Sequence, residues 1–294
     1  MRLLVTGNEG QLVRSLLERG ALQEDIEIVA TGRPALDLSV PETIEAAVRN
    51  IKPDVIVNAA AYTAVDKAET DEDLATLVNG KAAGELARVA ALLNVPIVQV
   101  STDYVFDGSK PDAYVETDAV SPLGAYGRSK LAGERAVAQA TPNHVILRTA
   151  WVHSPFGKNF VKTMLQLAET RDTLGVVADQ YGTPTSALDI ADAIITVARN
   201  LLSSDDASLR GVFHFTNDGR ASWADFAEEI FRQSKDLGGP RAQVNRIPTS
   251  AYPTPATRPT NSKLNCDKLQ VIHGVSKIDW AVSTRETVTR SLSL

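Results

Sequence analysis

The chain has 294 residues, 44% of them hydrophobic and 22% charged, with a net charge of −6. That length suits one large α/β domain or two ordinary ones, and an acidic balance without a basic block argues against nucleic-acid binding. Cys266 is the single cysteine, which excludes an internal disulfide and a cysteine metal cluster. A reducing compartment follows as the default. The N-terminal residues lack a secretory apolar region, and no apolar run approaches the ~18 residues of a membrane span, so a cytoplasmic protein without membrane contact is expected.

Strand and helix patterns alternate through the first half. Residues 3–6 form a short apolar β-rich run, and 11–20 have helical spacing with Leu12, Leu16 and Leu17 on one side. Residues 26–30 read as a second strand and 42–51 as a helix with Pro41 near its start. "DVIVNAAA" is a buried strand entering a small-residue loop, 80–93 an apolar-faced helix, and "VPIVQVST" another buried strand. Residues 123–140 look helical and "HVILRT" is a strand. Continuous rather than alternating apolar strands are those of a parallel sheet covered on both faces, and alternating βα units imply right-handed crossovers and a Rossmann-like, doubly wound α/β sheet.

The second half is less regular. "TLGVVAD" and "GVFHFTN" read as strands, 186–202 and 222–235 as helices, the latter with Ser222 as N-cap and Asp225 in its first turn. "IPTSAYPTPATRPTNSKLN" is a long loop of the kind that carries function in compact domains. The expected division is a dinucleotide-binding domain over 1–150, joined by later segments such as 174–215. A smaller C-terminal substrate-binding α/β lobe would lie mainly in 151–294, the chain crossing between the two.

"TGNEGQLVRS", residues 6–15, lies between the first strand and first helix, the context that separates a nucleotide loop from an ordinary βα turn. Gly7 permits the tight turn, and Gly10 lets backbone approach a pyrophosphate at the helix N-terminus. Val13 stands where a third glycine would allow close helix–strand packing, which predicts a helix displaced slightly outward. At the end of the second strand, Thr31-Gly32-Arg33 offers no acid for a ribose 2′-hydroxyl. Arg33 suits a 2′-phosphate, although a solvated surface arginine looks the same in sequence. NADPH is therefore the favoured cofactor, with NADH second.

"AYGRSKLAGE" holds Tyr126 and Lys130 at i and i+4, on one helix face. An ammonium near a phenol lowers its pKa, and such a phenol serves as general acid or base for a carbonyl–alcohol couple. The pair opens the helix after the fourth strand's loop, at the carboxyl edge where a doubly wound sheet binds ligands. Thr102 and Asp103 end that strand; Thr102 suits a hydrogen bond to the same substrate oxygen, and equally a turn-stabilising hydroxyl.

With the glycine loop, "NAAAYTAVD", "STDYVFDG", "YGRSK" and "RTAWV", the chain resembles the extended short-chain dehydrogenase/reductase superfamily. "GQL", "DKAE", "NFVKTML", "DQYGTPT" and "YPTPATRPTNSKLN" narrow the resemblance, over the whole chain, to the dTDP-4-dehydrorhamnose reductase family. The resemblance implies reduction of the C4 ketone of dTDP-4-dehydro-L-rhamnose to dTDP-L-rhamnose, Tyr126 protonating the developing alkoxide. Thr102 would polarise the ketone, and Lys130 would bind the nicotinamide ribose and hold the Tyr126 pKa down. It further implies Gly10, Gln11 and Leu12 at the pyrophosphate, Asp37 and Leu38 beside the adenine, Ala61, Tyr62 and Thr63 under the cofactor, and Ser101 near the nicotinamide. Thr102, Asp103 and Trp151 would contact the sugar, Arg258 and Ser262 the diphosphate, and Asn159 and Lys162 are further substrate-side candidates. Core packing would equally account for Trp151.

Some members of that family form a magnesium-bridged dimer through glutamates where Ser15 and Leu188 stand here, and neither residue supplies a carboxylate. No magnesium site is expected, and the chain is a monomer or a differently built dimer. Two rival readings remain at this level. Nucleotide-sugar epimerases and dehydratases share the loop and the Tyr–Lys pair, but the missing acid after the second strand and Tyr104 following Asp103 argue against them. A regulatory subunit of methionine adenosyltransferase resembles the same family without catalysing its reaction, and retention of Thr102, Tyr126 and Lys130 argues for an enzyme.

Overall fold

The computed structural model describes residues 1–293. Its first half runs β1 (Arg2–Thr6), α1 (Gln11–Ala21), β2 (Glu27–Thr31), α2 (Glu42–Ile51), β3 (Val55–Asn58), α3 (Val65–Ala68), α4 (Glu72–Thr76), α5 (Ala82–Leu93), β4 (Ile97–Thr102), α6 (Ala125–Ala140) and β5 (His144–Thr149). The second half continues with β6 (Val152–His153), α7 (Phe160–Ala168), β7 (Thr173–Val177), β8 (Tyr181–Gly182), β9 (Thr185–Ser186), α8 (Ala187–Ser203), β10 (Gly211–His214), β11 (Ala221–Ser222), α9 (Trp223–Asp236), β12 (Gln243–Ile247), α10 (Asp267–His273) and α11 (Trp280–Leu292).

Local chemistry sets many of these boundaries. Glu42 and Glu45 place negative charge in the first turn of α2, where the helix dipole favours it. Asn94 ends α5 in the left-handed conformation that asparagine tolerates. The Ser222 hydroxyl accepts from the Asp225 amide while the Asp225 carboxylate accepts from the Ser222 amide, a reciprocal cap that starts α9. The helix expected from residue 80 begins as α5 at Ala82, because a π-helical turn over Leu77–Lys81 links it to α4.

β1, β2, β3, β4, β5 and β10 make one six-stranded sheet in the order β10-β5-β4-β3-β1-β2, every neighbouring pair parallel. The chain steps from β1 to β2 on one side, then crosses back to place β3 on the other. The carboxyl ends of β1 and β3 therefore flank the switch point where such sheets bind ligands. Side chains alternate along β1: Leu3 and Val5 pack with Leu12 and Leu16 of α1 and Ile190 and Ile194 of α8. Leu4 faces Ile44 and Val48 of α2 and Leu86 of α5. Both faces are thus covered, which is why these strands read as unbroken apolar runs.

A separate apolar cluster joins Val161 and Leu165 of α7, Leu174 and Val176 of β7, Phe226 and Ile230 of α9, and Val288 of α11. Within 174–215, β10 enters the large sheet beside β5, whereas β7 pairs with β12 away from it. The Pro- and Thr-rich loop after β12 is tied to both halves. Asn261 Nδ2 donates to the carbonyls of Lys110 and Asp112 at 2.8 and 2.9 Å, and the Ser262 amide donates to the Tyr181 carbonyl at 2.7 Å. Among the described residues no helix is long and apolar enough to cross a membrane.

Candidate active site

A cleft of about 700 Å3 opens over the switch point. Its walls include Gly7, Gly10, Gln11 and Leu12 after β1, Ala61 and Thr63 after β3, and Ser101, Thr102 and Asp103 at the end of β4; Tyr126, Lys130 and Trp151 also face it. Most residues that the sequence singles out thus converge on one surface.

The glycine loop is built as its composition predicts. Gly7 has φ +100°, a conformation that costs glycine little. Val13 is fully buried, and its Cγ2 lies 3.3 Å from where a Gly7 Cβ would stand and 3.7 Å from that of Gly10. The valine fills the space under the loop as part of the core. Gly10, the residue before α1, provides no side-chain cap, so the first amides of α1 are free donors on the cleft wall, suited to an anion. Gln11 turns aside: its Oε1 accepts from Ser154 Oγ at 2.9 Å and Asn159 Nδ2 at 3.0 Å, stitching α1 to the start of α7.

Tyr126 stands in the first turn of α6, with Lys130 one turn on. The Tyr-x-x-x-Lys spacing predicts that the ammonium lowers the phenol; in the folded chain the net shift is upward, and Lys130 is not among its causes. Burial and the neighbouring Asp103 carboxylate push Tyr126 up to about 12, the nearby Thr102 hydroxyl opposing them. Lys130 Nζ is committed elsewhere, donating to the Val100 carbonyl at 2.7 Å. Burial pulls Lys130 down to about 8, against the charge of Glu134. The phenol therefore keeps its proton at neutral pH, the state a general acid requires.

Asp103 is almost wholly buried, and burial raises it to about 6. Its Oδ1 accepts from Thr102 Oγ1 at 3.0 Å, while Oδ2 is buried without a protein partner at the cleft's edge of β4. An unpartnered buried carboxylate oxygen suits a hydroxyl donor of a ligand. Trp151 has φ +48°, and its ring stacks on Trp223 at 3.6 Å and 9°. Both rings belong to the cleft wall, so packing and ligand contact are served together.

Other sequence candidates sit differently. Leu38 is buried in the core with Ile44, and Asp37 accepts from the Ser39 amide and hydroxyl at 2.9 and 2.7 Å, closing its own turn. Arg33 is exposed at the end of β2, its carbonyl near Asn8 Nδ2. Tyr62 turns its hydroxyl to Asp71 at 3.1 Å. The Ser101 hydroxyl donates to Glu134 at 2.5 Å, away from the cleft. Asn159 caps α7, and Lys162 Nζ donates to the Pro155 carbonyl at 3.3 Å. Arg258 is held by Asp66, from Nη1 to Oδ1 at 3.1 Å and Nη2 to Oδ2 at 2.9 Å. Ser262 is buried close to Asp103 and favours the charged form of its carboxyl. Ser15 and Leu188 are fully buried, the serine hydroxyl on the Gln11 carbonyl at 2.8 Å. No group of three or more His, Cys, Asp or Glu side chains could hold a metal among the described residues.

Sequence reasoning missed Lys158, Phe160 and Trp223, which all line the cleft. No local signal marked them: Phe160 and Trp223 pack against the other cluster and Lys158 is exposed beside it, and all three reach the site only through folding. It also missed Glu134, although a carboxylate one turn beyond Lys130 repeats the spacing from Tyr126.

A doubly wound parallel sheet, a glycine turn at its switch point and a Tyr–Lys pair beside a strand-end threonine define an oxidoreductase of the extended short-chain dehydrogenase/reductase type. A family model described as "RmlD substrate binding domain" matches residues 1–293. The dTDP-4-dehydrorhamnose reductase of Sinorhizobium fredii is 51% identical over 98% of this chain and 97% of its own length. Among solved structures, the dTDP-4-dehydrorhamnose reductase of Clostridium acetobutylicum superposes with a TM-score of 0.91 at 38% identity, covering 100% of both chains. That of Bacillus anthracis, in complex with NADP, gives 0.89 at 32% identity over 99% of this chain and 98% of its own. The chain belongs to the dTDP-4-dehydrorhamnose reductase family.

Proposed function

We propose that this protein reduces the C4 ketone of dTDP-4-dehydro-L-rhamnose to the alcohol of dTDP-L-rhamnose. The reading is carried by the convergence of Thr102, Tyr126 and Lys130 on one cleft beside the glycine turn. The names of its relatives support the substrate, and the NADP complex of the B. anthracis relative supports the cofactor. The cleft fits a dinucleotide: Gly7 and Gly10 leave backbone room, the uncapped amides of α1 meet the pyrophosphate, and the exposed cation of Lys158 stands on the same wall. Arg33 lies on the exposed end of β2, where a 2′-phosphate would meet it.

NADPH, when bound, supplies the hydride to C4. Thr102 donates a hydrogen bond to the C4 oxygen and polarises the ketone, its one hydroxyl proton turning there from Asp103 Oδ1. Tyr126 gives its phenolic proton to the same oxygen as negative charge develops there, and solvent restores that proton afterwards. Lys130, with two ammonium donors left beyond the Val100 carbonyl, binds ribose hydroxyls and brings positive charge to the side of the cleft where the phenolate is left behind. Asp103 Oδ2 accepts from a sugar hydroxyl and Trp151 covers the sugar face. Arg258 reaches the diphosphate only by exchanging its Asp66 partner. A steady-state assay of NADPH and NADH oxidation with dTDP-4-dehydro-L-rhamnose tests the proposal. Turnover with NADPH and a rhamnose product supports it; no turnover with fresh substrate, or bound NAD at stoichiometry in the purified protein, refutes it.

A further inference from the structure

Beneath the cleft lies a buried ion pair to which the chemistry above assigns no role. The side chains of Glu134 and Arg148 are each 5% exposed. Arg148 donates from Nε to Glu134 Oε1 at 2.9 Å and from Nη2 to Oε2 at 2.7 Å, and Ser101 Oγ donates to Oε1 at 2.5 Å. The guanidinium is itself fixed, lying over the Phe106 ring at 5.1 Å with Nη1 3.4 Å from His214 Nε2. A buried pair of this kind is no more stabilising than apolar residues of the same volume, so its presence calls for another account. Tyr126, Lys130 and Glu134 recur at four-residue intervals and form one stripe of α6.

Resting on the assignment of Lys130 to the reaction, we propose that Glu134 is a positioning residue. Locked by Arg148 and Ser101, its carboxylate keeps the neighbouring Lys130 ammonium charged and in place under the cleft. The lysine has every reason to lose its proton, because it is buried and its hydrogen bond goes to a carbonyl rather than a carboxylate. Val100 and Ser101, consecutive on β4, anchor the Lys130 ammonium and the Glu134 carboxylate respectively, and Glu134 is the charge that resists this loss. Without it, the amine turns neutral nearer to physiological pH and offers ribose hydroxyls fewer donors and no charge.

The other charged groups around α6 do not substitute. Tyr126 precedes Lys130 on the same helix, and Asp103 at the end of β4 acts on Tyr126. From β5, Arg148 is spent on Glu134, and His214 of β10 lies behind it. Glu72 of α4 pairs with Arg128, and Glu85 of α5 pairs with Arg88, both on the outside. Glu69 accepts from the Ala125 amide at 2.9 Å. Lys81 is exposed.

The test is Glu134→Gln in the full chain, read by NADPH binding through its fluorescence and by keto-sugar reduction, both across pH 6 to 9. We expect NADPH affinity near wild type at pH 6 and at least several-fold weaker at pH 8.5. The alkaline limb of kcat/KM moves down by about 1 pH unit, the scale of one lost charge neighbour. A drop of equal size at every pH, or none, overturns the proposal. If the single variant does not fold, Glu134→Asp, which keeps the charge but sets it back by one methylene, is read the same way, and a smaller downward displacement of the alkaline limb is expected. A wild-type alkaline limb in that variant overturns the proposal equally. NADPH binding needs no sugar, so wild-type failure to reduce the sugar refutes the substrate assignment and leaves the binding profile to judge Glu134.

Discussion

Gly182→Ala is the sharpest perturbation of the Trp151 wall of the cleft, where the proposed function places the sugar. A Cβ at this position would stand 2.6 Å from Trp151 Cε2, 2.7 Å from Nε1 and 2.9 Å from Cζ2. Carbon atoms rest at about 3.5–4.0 Å, so the indole must withdraw by about 1 Å. It has nowhere to go. Trp223 is stacked on it at 3.6 Å, and Phe160 lies 4.8 Å from Trp223. The Trp151 backbone is already in the left-handed region, where a bulky residue has little freedom. Overpacking of this kind costs about 1–3 kcal/mol, which lowers the Tm of a protein this size by about 2–10 °C. A ~1 Å displacement of a substrate-positioning group costs up to about 100-fold in rate. The variant is therefore expected to lose ~10- to 100-fold in kcat/KM for the keto-sugar while binding NADPH as the wild type does. Scanning calorimetry and steady-state kinetics read both effects. Wild-type kcat/KM together with a lowered Tm would show that the Trp151 ring is only a packing element, and an unchanged Tm would refute the wedge itself.

Tyr126→Phe removes the proton donor and leaves the cleft's shape, so turnover should fall by about 10²–10⁴-fold with NADPH affinity retained; equal loss of both would make Tyr126 structural. Asp103 titrates at about 6 in the folded chain against 3.8 for an ordinary aspartate, so the fold favours its protonated form. The stability gained from that preference is present below pH ~4 and lost as pH rises through ~6. Asp103→Asn should accordingly outlast the wild type on heating by a margin that grows between pH 4 and 6, reaches at most about 3 kcal/mol and is constant above. A flat difference across that window contradicts the assignment. Arg33→Ala should raise the KM for NADPH several-fold and leave that for NADH unchanged, and parallel changes would mean that Arg33 is a solvated surface residue.

The first half of the molecule was legible in the chain because its signals are local. Unbroken apolar runs mark strands covered on both faces, the glycine spacing marks the turn after β1, and the four-residue interval from Tyr126 to Lys130 marks a shared helix face. These depend on residues within a turn or two of each other, where backbone geometry leaves few alternatives. Tertiary structure decided everything that depends on distance. It turned Val13 into filler for the glycine loop, gave the Arg258 guanidinium to Asp66, and brought Trp223 behind Trp151 from 72 positions away in the sequence. It also fixed the sign of the electrostatics at Tyr126. Spacing alone puts an ammonium near the phenol, but the charge and solvent a group feels depend on what surrounds it from every side. Here burial and Asp103 prevail, while Val100 and Glu134 engage Lys130.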